Sequence, residues 1–248
     1  MKTRGIALLS SIPCRELPSH KSQLVTQLLF GETYEVITQE GEWVQITTDL
    51  DHYTCWIALN QFQEMQSTVD FIVNKEWNAS ILFDNLEIAI PIGALIPPLN
   101  STWNIGNHKI ENTKIHSITI PFEEAEIIRI SRLFLQTPYL WGGRTAAGID
   151  CSGFSQLIYR LFDQFIPRDA YQQAEKGEIV SFLEEVQPGD LAFFDNEEGK
   201  ITHVGICLAL GKIIHASGFV KIDQLDHQGI YAFDHQSYSH KLRIIKRL

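Results

Sequence analysis

At 248 residues, with 44% hydrophobic and 20% charged side chains, the chain has the composition of a folded globular protein and the length for two or three domains. A formal charge of −10 argues against nucleic acid or an anionic membrane as partner, because both reward clustered Lys and Arg. No apolar run approaches the ~20 residues of a membrane span, and Ile6–Leu9 is too short for a secretion signal, so a cytoplasmic location is expected.

The first sixty residues alternate short apolar runs with turn residues: Leu24–Leu29, Tyr34–Ile37, Trp43–Ile46 and Tyr53–Ala58, with Gly31-Glu32 and Gly41-Glu42 between them. Ile12-Pro13-Cys14-Arg15 also reads as a strand. This pattern predicts a small all-β barrel over residues 1–66. Residues 67–118 contain Ile88–Ile92, Leu95-Ile96-Pro97-Pro98 and Lys114–Ile118, with Pro and Gly too closely spaced for helices, and predict a second small β module.

A different domain is expected over 119–248. Pro121 followed by Glu123, Glu124 and Glu126, then Ile127, Ile130, Leu133 and Phe134, predicts a helix closed by Thr137-Pro138. A second helix is expected from Ser152, with Phe154, Leu157, Ile158, Leu161 and Phe162 on one face, and a third near Ala170–Gly177. Strands are expected at Leu191–Phe194, His203–Leu208, Ile213–Ala216 and Leu242–Ile245, with Lys241–Arg247 forming a sheet edge. Helices followed by antiparallel strands make the fold class α+β.

Cys14, Cys55, Cys151 and Cys207 occur singly with no Cys-x-x-Cys spacing, which does not support a disulfide framework or a zinc ribbon. Cys151 is distinctive because the glycine-loosened stretch Tyr139-Leu-Trp-Gly-Gly-Arg-Thr-Ala-Ala-Gly-Ile-Asp150 delivers it to the first turn of a helix. Unpaired N–H groups there, and the positive end of the helix dipole, favour a thiolate. The alternative is a small buried residue at a helix start.

A thiol nucleophile needs an imidazole and a group that orients it. His203 and His215 fit those roles on paper, and each is also compatible with an ordinary strand histidine. A three-residue loop over 209–211, with Gly211 left-handed, would place both rings on one sheet face; a two-residue loop would separate them. A metal site made by Cys151, His203 and His215 would use the same residues, but the thiol–imidazole reading needs neither metal nor other cofactor.

Six fragments in this order, Pro-Tyr-Leu-Trp-Gly-Gly, Gly-Ile-Asp-Cys-Ser-Gly-Phe, Ile-Pro-Arg-Asp-Ala-Tyr-Gln-Gln, Gln-Pro-Gly-Asp-Leu-Ala-Phe-Phe, His-Val-Gly-Ile and Ile-Ile-His-Ala-Ser, resemble the NlpC-type cell-wall peptidases over residues 121–248. The resemblance implies a papain-like domain in which Cys151 attacks the scissile carbonyl, His203 is the base, His215 orients it, and the Tyr139 hydroxyl helps to bind the oxyanion. Packing under the loop remains open for Tyr139.

The N-terminal stretch Ile12–Glu32, with Gly-Glu-Trp-Val-Gln-Ile and Tyr-Thr-Cys-Trp-Ile, is similar to the bacterial SH3-like module found ahead of such domains. The pair of domains looks like the dipeptidyl-peptidase VI class, which cuts after D-glutamate in L-Ala-γ-D-Glu-diamino acid peptides during murein recycling. That likeness implies murein peptides as substrates, Asp150 and Tyr53 holding the L-alanine ammonium, and Ser152 contacting the D-glutamyl part. A monomer is expected. Asp150 is equally suited to cap the helix.

Gln23, Cys55 and Ala170 depart from the residues usual at their positions, glutamate, glycine and serine. A broader γ-D-glutamyl endopeptidase or amidase on wall-bound stems, and a non-catalytic wall-binding protein, are the competing functions.

Overall fold

The computed structural model describes residues 3–209, 211–234 and 236–248. The chain divides into two compact units, Met1–Thr119 with Trp141–Ala146, and Ile120–Leu140 with Ala147–Leu248.

In the first unit, β1 (Arg4–Ile6), β2 (Ser11–Arg15), β3 (Leu24–Leu29), β4 (Thr33–Glu40), β5 (Trp43–Thr48) and β6 (Thr54–Ala58) form a six-stranded antiparallel barrel in the order β1-β4-β5-β6-β2-β3. Period-two alternation turns Val44 and Ile46 of β5, and Ile12 and Cys14 of β2, into a core shared with Leu28, Tyr34, Cys55 and Ile57.

Next come β7 (Ile72–Val73), β8 (Ala79–Phe83), β9 (Leu86–Ile90), β10 (Leu95–Ile96), β11 (Ser101–Ile105) and β12 (His108–Asn112). Four of them form the sheet β11-β12-β8-β9, and β10 pairs with β7. Gly31 lets this part approach the barrel by backbone: the Leu95 N–H donates to the Phe30 carbonyl at 2.8 Å, and a Cβ on Gly31 would lie 2.0 Å from the Leu95 oxygen.

The expected strand at Lys114–Ile118 does not form. The Asn112 side chain accepts from the N–H groups of Lys114 and Ile115 and donates to the Ile115 carbonyl, replacing a ladder with a side-chain turn. Within the same unit, β13 (Arg144–Thr145) carries a guanidinium that is paired twice at 2.9 Å with buried Glu32 and donates to the Gln27 carbonyl at 2.6 Å.

The second unit begins with α1 (Glu124–Arg132), which starts three residues after Pro121 and buries Ile127 and Ile130. After β14 (Gly148–Ile149) comes α2 (Cys151–Leu161). The expectation of a one-sided apolar helix is corrected here, because all eleven α2 residues are buried. Its polar side chains are accommodated by specific partners: Ser155 Oγ donates to Gln173 Oε1 at 2.7 Å, Gln156 to the Ile166 carbonyl at 3.0 Å, and Tyr159 Oη to the Gly189 carbonyl at 2.6 Å.

Then follow α3 (Ala170–Ala174), β15 (Glu178–Ile179), β16 (Leu191–Asp195), β17 (Ile201–Leu208), β18 (Lys212–Ser217), β19 (Phe219–Leu225), β20 (Gly229–Ala232) and β21 (Ser237–Arg247). Near-continuous burial along β16, β17 and β18 shows that both faces are covered. Helix α2 packs on β17 and β18, while Ala192, Phe194, Cys207, Ile213, Leu225, Ile230 and Ile245 form a core on the other face.

The C-terminal strand is not an edge. β21 pairs with β16 on one side and with β20 and β15 on the other, so β16 to β21 close into a ring. The α+β expectation thus holds in its papain-like helix-on-sheet core, while sheet dominates and the helices are few and short. β19 and β20 were not expected from the sequence.

Candidate active site

The site assembles where the start of α2 meets β17. Gly148-Ile149 leads into Asp150, whose carboxylate accepts from the Gly153 N–H at 2.7 Å and caps the helix. Cys151 is therefore the first helical residue, 5% exposed, with its sulfur in hydrogen-bond contact with the backbone N–H of Val204 and of Ser152. Val204 follows His203 in β17, so the sulfur lies against the backbone of the strand that carries the expected base.

The two histidines lie on one face. Leu208 pairs with Lys212, which leaves 209 to 211 as the loop, and Gly211 has φ +65°; Leu210 lies outside the described residues. His203 Nε2 and His215 Nδ1 are 2.8 Å apart, and His215 Nε2 is 3.1 Å from Asp223 Oδ2. Gly205 makes this approach possible: a Cβ there would stand 2.6 Å from Ile213 Cδ1 and 2.9 Å from His215 Cβ.

Two residues of this cluster were missed from sequence. Asp223 lies on β19, where the alternation Val220-Lys-Ile-Asp places it on the polar side with Lys221, so no local signal marked it. His240, on β21, stacks on His203 with ring centroids 4.0 Å apart and planes inclined by 22°. Phe194 packs against both rings at 5.8 and 5.9 Å.

Electrostatics revise the expected pre-ionised nucleophile. Burial, reinforced by the neighbouring Asp150 carboxylate, pushes the Cys151 thiol up to about 12, against the opposing pull of the Val204 N–H and Arg168. Burial also lowers His203, helped by His215 and His240. Burial lowers His215 and outweighs the opposite effect of Asp223. For Asp223, burial raises the carboxyl, but hydrogen bonds from His215 and the Phe233 N–H prevail and lower it. Burial thus favours the neutral forms of the thiol and the imidazoles, while its hydrogen bonds favour the Asp223 carboxylate.

Tyr139 is half-buried; its N–H donates to the Gly218 carbonyl at 2.9 Å, and burial raises its hydroxyl, with Cys151 and Asp150 adding to the shift. The structure thus brings Tyr139 into the field of the nucleophile. Ser152 Oγ accepts from Arg168 at 2.8 Å, and Arg168 also makes a two-pronged pair with Asp150 at 3.0 and 2.5 Å. Arg168 was present in Ile-Pro-Arg-Asp but carried no expected role. Tyr53 belongs to the first unit, where it packs against the barrel core and its N–H donates to Thr48 Oγ1 at 2.8 Å.

Among the described residues, the ring nitrogens of His203, His215 and His240 lie within 4.8 Å of one another. Both His215 nitrogens are already engaged, one with His203 and one with Asp223.

Residues 136–238 match the NlpC/P60 family, and residues 14–62 match the bacterial dipeptidyl-peptidase Sh3 domain. The chain is 32% identical over 214 residues to the gamma-D-glutamyl-L-lysine dipeptidyl-peptidase of Bacillus subtilis, covering 77% of this chain and 71% of that protein. It is 27% identical over 230 residues to the Bacillus cereus protein of the same name, covering 80% and 68%. A crystal structure of an NlpC/P60 family protein from Bacillus cereus shares the fold, with a TM-score of 0.80 and 20% identity over 98% of this chain and 99% of that one. With its thiol, imidazole pair and matched domains, this chain belongs to the NlpC/P60 family of cysteine peptidases and carries a bacterial dipeptidyl-peptidase SH3 domain.

Proposed function

We propose that the protein hydrolyses the bond between γ-D-glutamate and the diamino acid in short murein peptides that begin with L-alanine, as a step in cell-wall peptide recycling in the cytoplasm. The observation that supports this reading most is the match, over both domains, to relatives named for the γ-D-glutamyl-L-lysine bond.

Because His203 Nε2 is taken up by His215, Nδ1 is the nitrogen left for the thiol. Attack forms the Sγ–C bond as the thiol proton passes to Nδ1. Collapse breaks the C–N bond as that proton passes to the leaving amine. Water then hydrolyses the thioester by the same route. The Cys151 N–H and the Tyr139 hydroxyl would hold the oxyanion; losing one such donor typically costs ~10²–10³ in rate.

Asp150 and Tyr53 are proposed to hold the substrate ammonium, and Ser152 the D-glutamyl part. One observation favours a second, broader reading. Arg168 already neutralises Asp150, so a free amine meets a paired carboxylate rather than an unpaired one, and amine-blocked stems lose less than a bare carboxylate would impose.

The test is incubation with L-Ala-γ-D-Glu-diaminopimelate, its L-lysine counterpart and their N-acetylated forms, alongside Cys151→Ala. Release of L-Ala-D-Glu from the free-amine peptides alone supports the first reading. Equal cleavage of the acetylated forms supports the second, and no turnover by the intact enzyme removes both.

A further inference from the structure

We infer that Asp223 is a positioning residue that sets the proton tautomers of both histidines, and thereby makes His203 Nδ1 the base. The inference rests on the Cys151–His203 assignment and is independent of which peptide is cut.

The argument follows the hydrogen bonds inward. Asp223 Oδ2 can only accept, so His215 Nε2, 3.1 Å away, carries a hydrogen. A neutral imidazole has one N–H, which leaves His215 Nδ1 a bare acceptor. Its partner at 2.8 Å, His203 Nε2, must then be the donor. One N–H is thereby assigned to His203 as well, and the remaining lone pair sits on Nδ1. That nitrogen lies beside Cγ, on the main-chain side of the ring, and the N–H of the next residue, Val204, meets the Cys151 sulfur.

Proton order at the nucleophile is thus dictated from β19 through two side chains. When His203 becomes cationic during attack, the same chain offers a carboxylate two links away. Burial makes the device selective: His215 is 0% exposed and Asp223 2%, so water does not reach in to offer the alternative tautomer.

Other charged groups around Asp223 have their own roles. Lys221 Nζ is 3.6 Å from Oδ2 but pairs more closely with Asp234, at 2.7 Å. The Phe233 N–H donates to Oδ1 at 3.2 Å. That last bond makes asparagine an informative replacement. In Asp223→Asn the amide oxygen faces the Phe233 N–H, and its NH₂ group faces His215 Nε2. Every tautomer then inverts, and His203 Nδ1 gains a hydrogen where it needs a lone pair.

A residue that merely fills space predicts that alanine, which leaves a hole, is worse than near-isosteric asparagine. Tautomer control predicts the reverse. We expect kcat/KM to fall by at least ~10²-fold in Asp223→Asn, by analogy with wrong-tautomer variants of serine-protease triads, and by at least tenfold less in Asp223→Ala, where His215 is free to choose.

The direct readout is the long-range nitrogen-15 NMR spectrum of the wild-type histidines, which needs neither variant to fold nor any substrate. Nε2–H on both His203 and His215 supports the proposal. Nδ1–H on either overturns it, as does Asp223→Asn exceeding Asp223→Ala in activity at equal folded fraction. Failure of the peptide assay with Nε2–H intact would instead count against the proposed substrate alone.

Discussion

Two buried polar networks flank the nucleophile, and they are built on opposite plans. On the helix side, Asp150, Ser152 and Arg168 form a closed set in which a cation and an anion meet through two parallel bonds. On the sheet side, His203, His215 and Asp223 form an open chain whose first member keeps a nitrogen for the thiol. The closed set has no proton to pass on and serves to hold the helix start in place. The open chain contributes less to rigidity, and its worth lies in the direction of its hydrogens.

The sharpest test of that contrast is removal of the nucleophile itself. Cys151→Ala is expected to lower kcat/KM by more than ~10⁴-fold with an unchanged thermal melt, because the residue belongs to the chemistry and not to either network's internal bonding.

The closed network is broken by Arg168→Met, which leaves the Asp150 carboxylate buried without its cation. A loss of ~3–5 kcal/mol in urea unfolding is expected, the largest stability effect of any change in the site. A variant as stable as wild type would show that the pair is not holding α2.

Acid acts on the sheet-side network through its imidazoles. His203, His215 and His240 have folded values depressed by burial, His240 to about 4, so the unfolded chain binds more protons below ~6.5. Their contribution costs nothing above that pH, and stability falls as pH drops from ~6.5 towards the depressed values. Asp223, lowered in the fold, acts only near and below its ordinary ~3.9, outside this window. Urea midpoints at pH 8, 6 and 5 should therefore decline in order, and the decline should shrink in His240→Phe. Equal midpoints would mean that the imidazoles charge freely in the folded state.

The smallest expected effect concerns the stacked ring. His240→Phe should keep kcat/KM within ~3-fold, while His240→Ala should cost ~0.5–1.5 kcal/mol of stability, the range for an aromatic pair. A large activity loss in the phenylalanine variant would place His240 in the proton path and remove the distinction between the ring that stacks and the rings that relay.

The barrel, the helix that presents Cys151 and the hairpin that presents both histidines were legible because each rests on a local pattern: alternation, a cap before an apolar helix, a loop closed by Gly211. Asp223 and His240 were not, and the reason is physical. Asp223 sits on the hairpin partner of β18 but at a polar position of its strand, which alternation assigns to solvent, and His240 meets a ring 37 residues away on a strand brought there by ring closure. The basic alternation of Lys241–Arg247 suggested an edge for the same reason: a strand flanked on both sides by distant segments carries no mark of its second neighbour. The raised thiol was also hidden, since the helix dipole is visible in sequence and burial from every direction is not.

The closed ring of β16 to β21 bears on how a peptide is recognised. Among the described residues β17 pairs with β18 only from Ile206 to Leu208, so the ring is splayed at its His203 end, beside the Val204 N–H that meets the Cys151 sulfur. Main-chain pairing by a bound peptide is thereby confined to that short stretch, and the rest of its recognition falls to its termini and side groups.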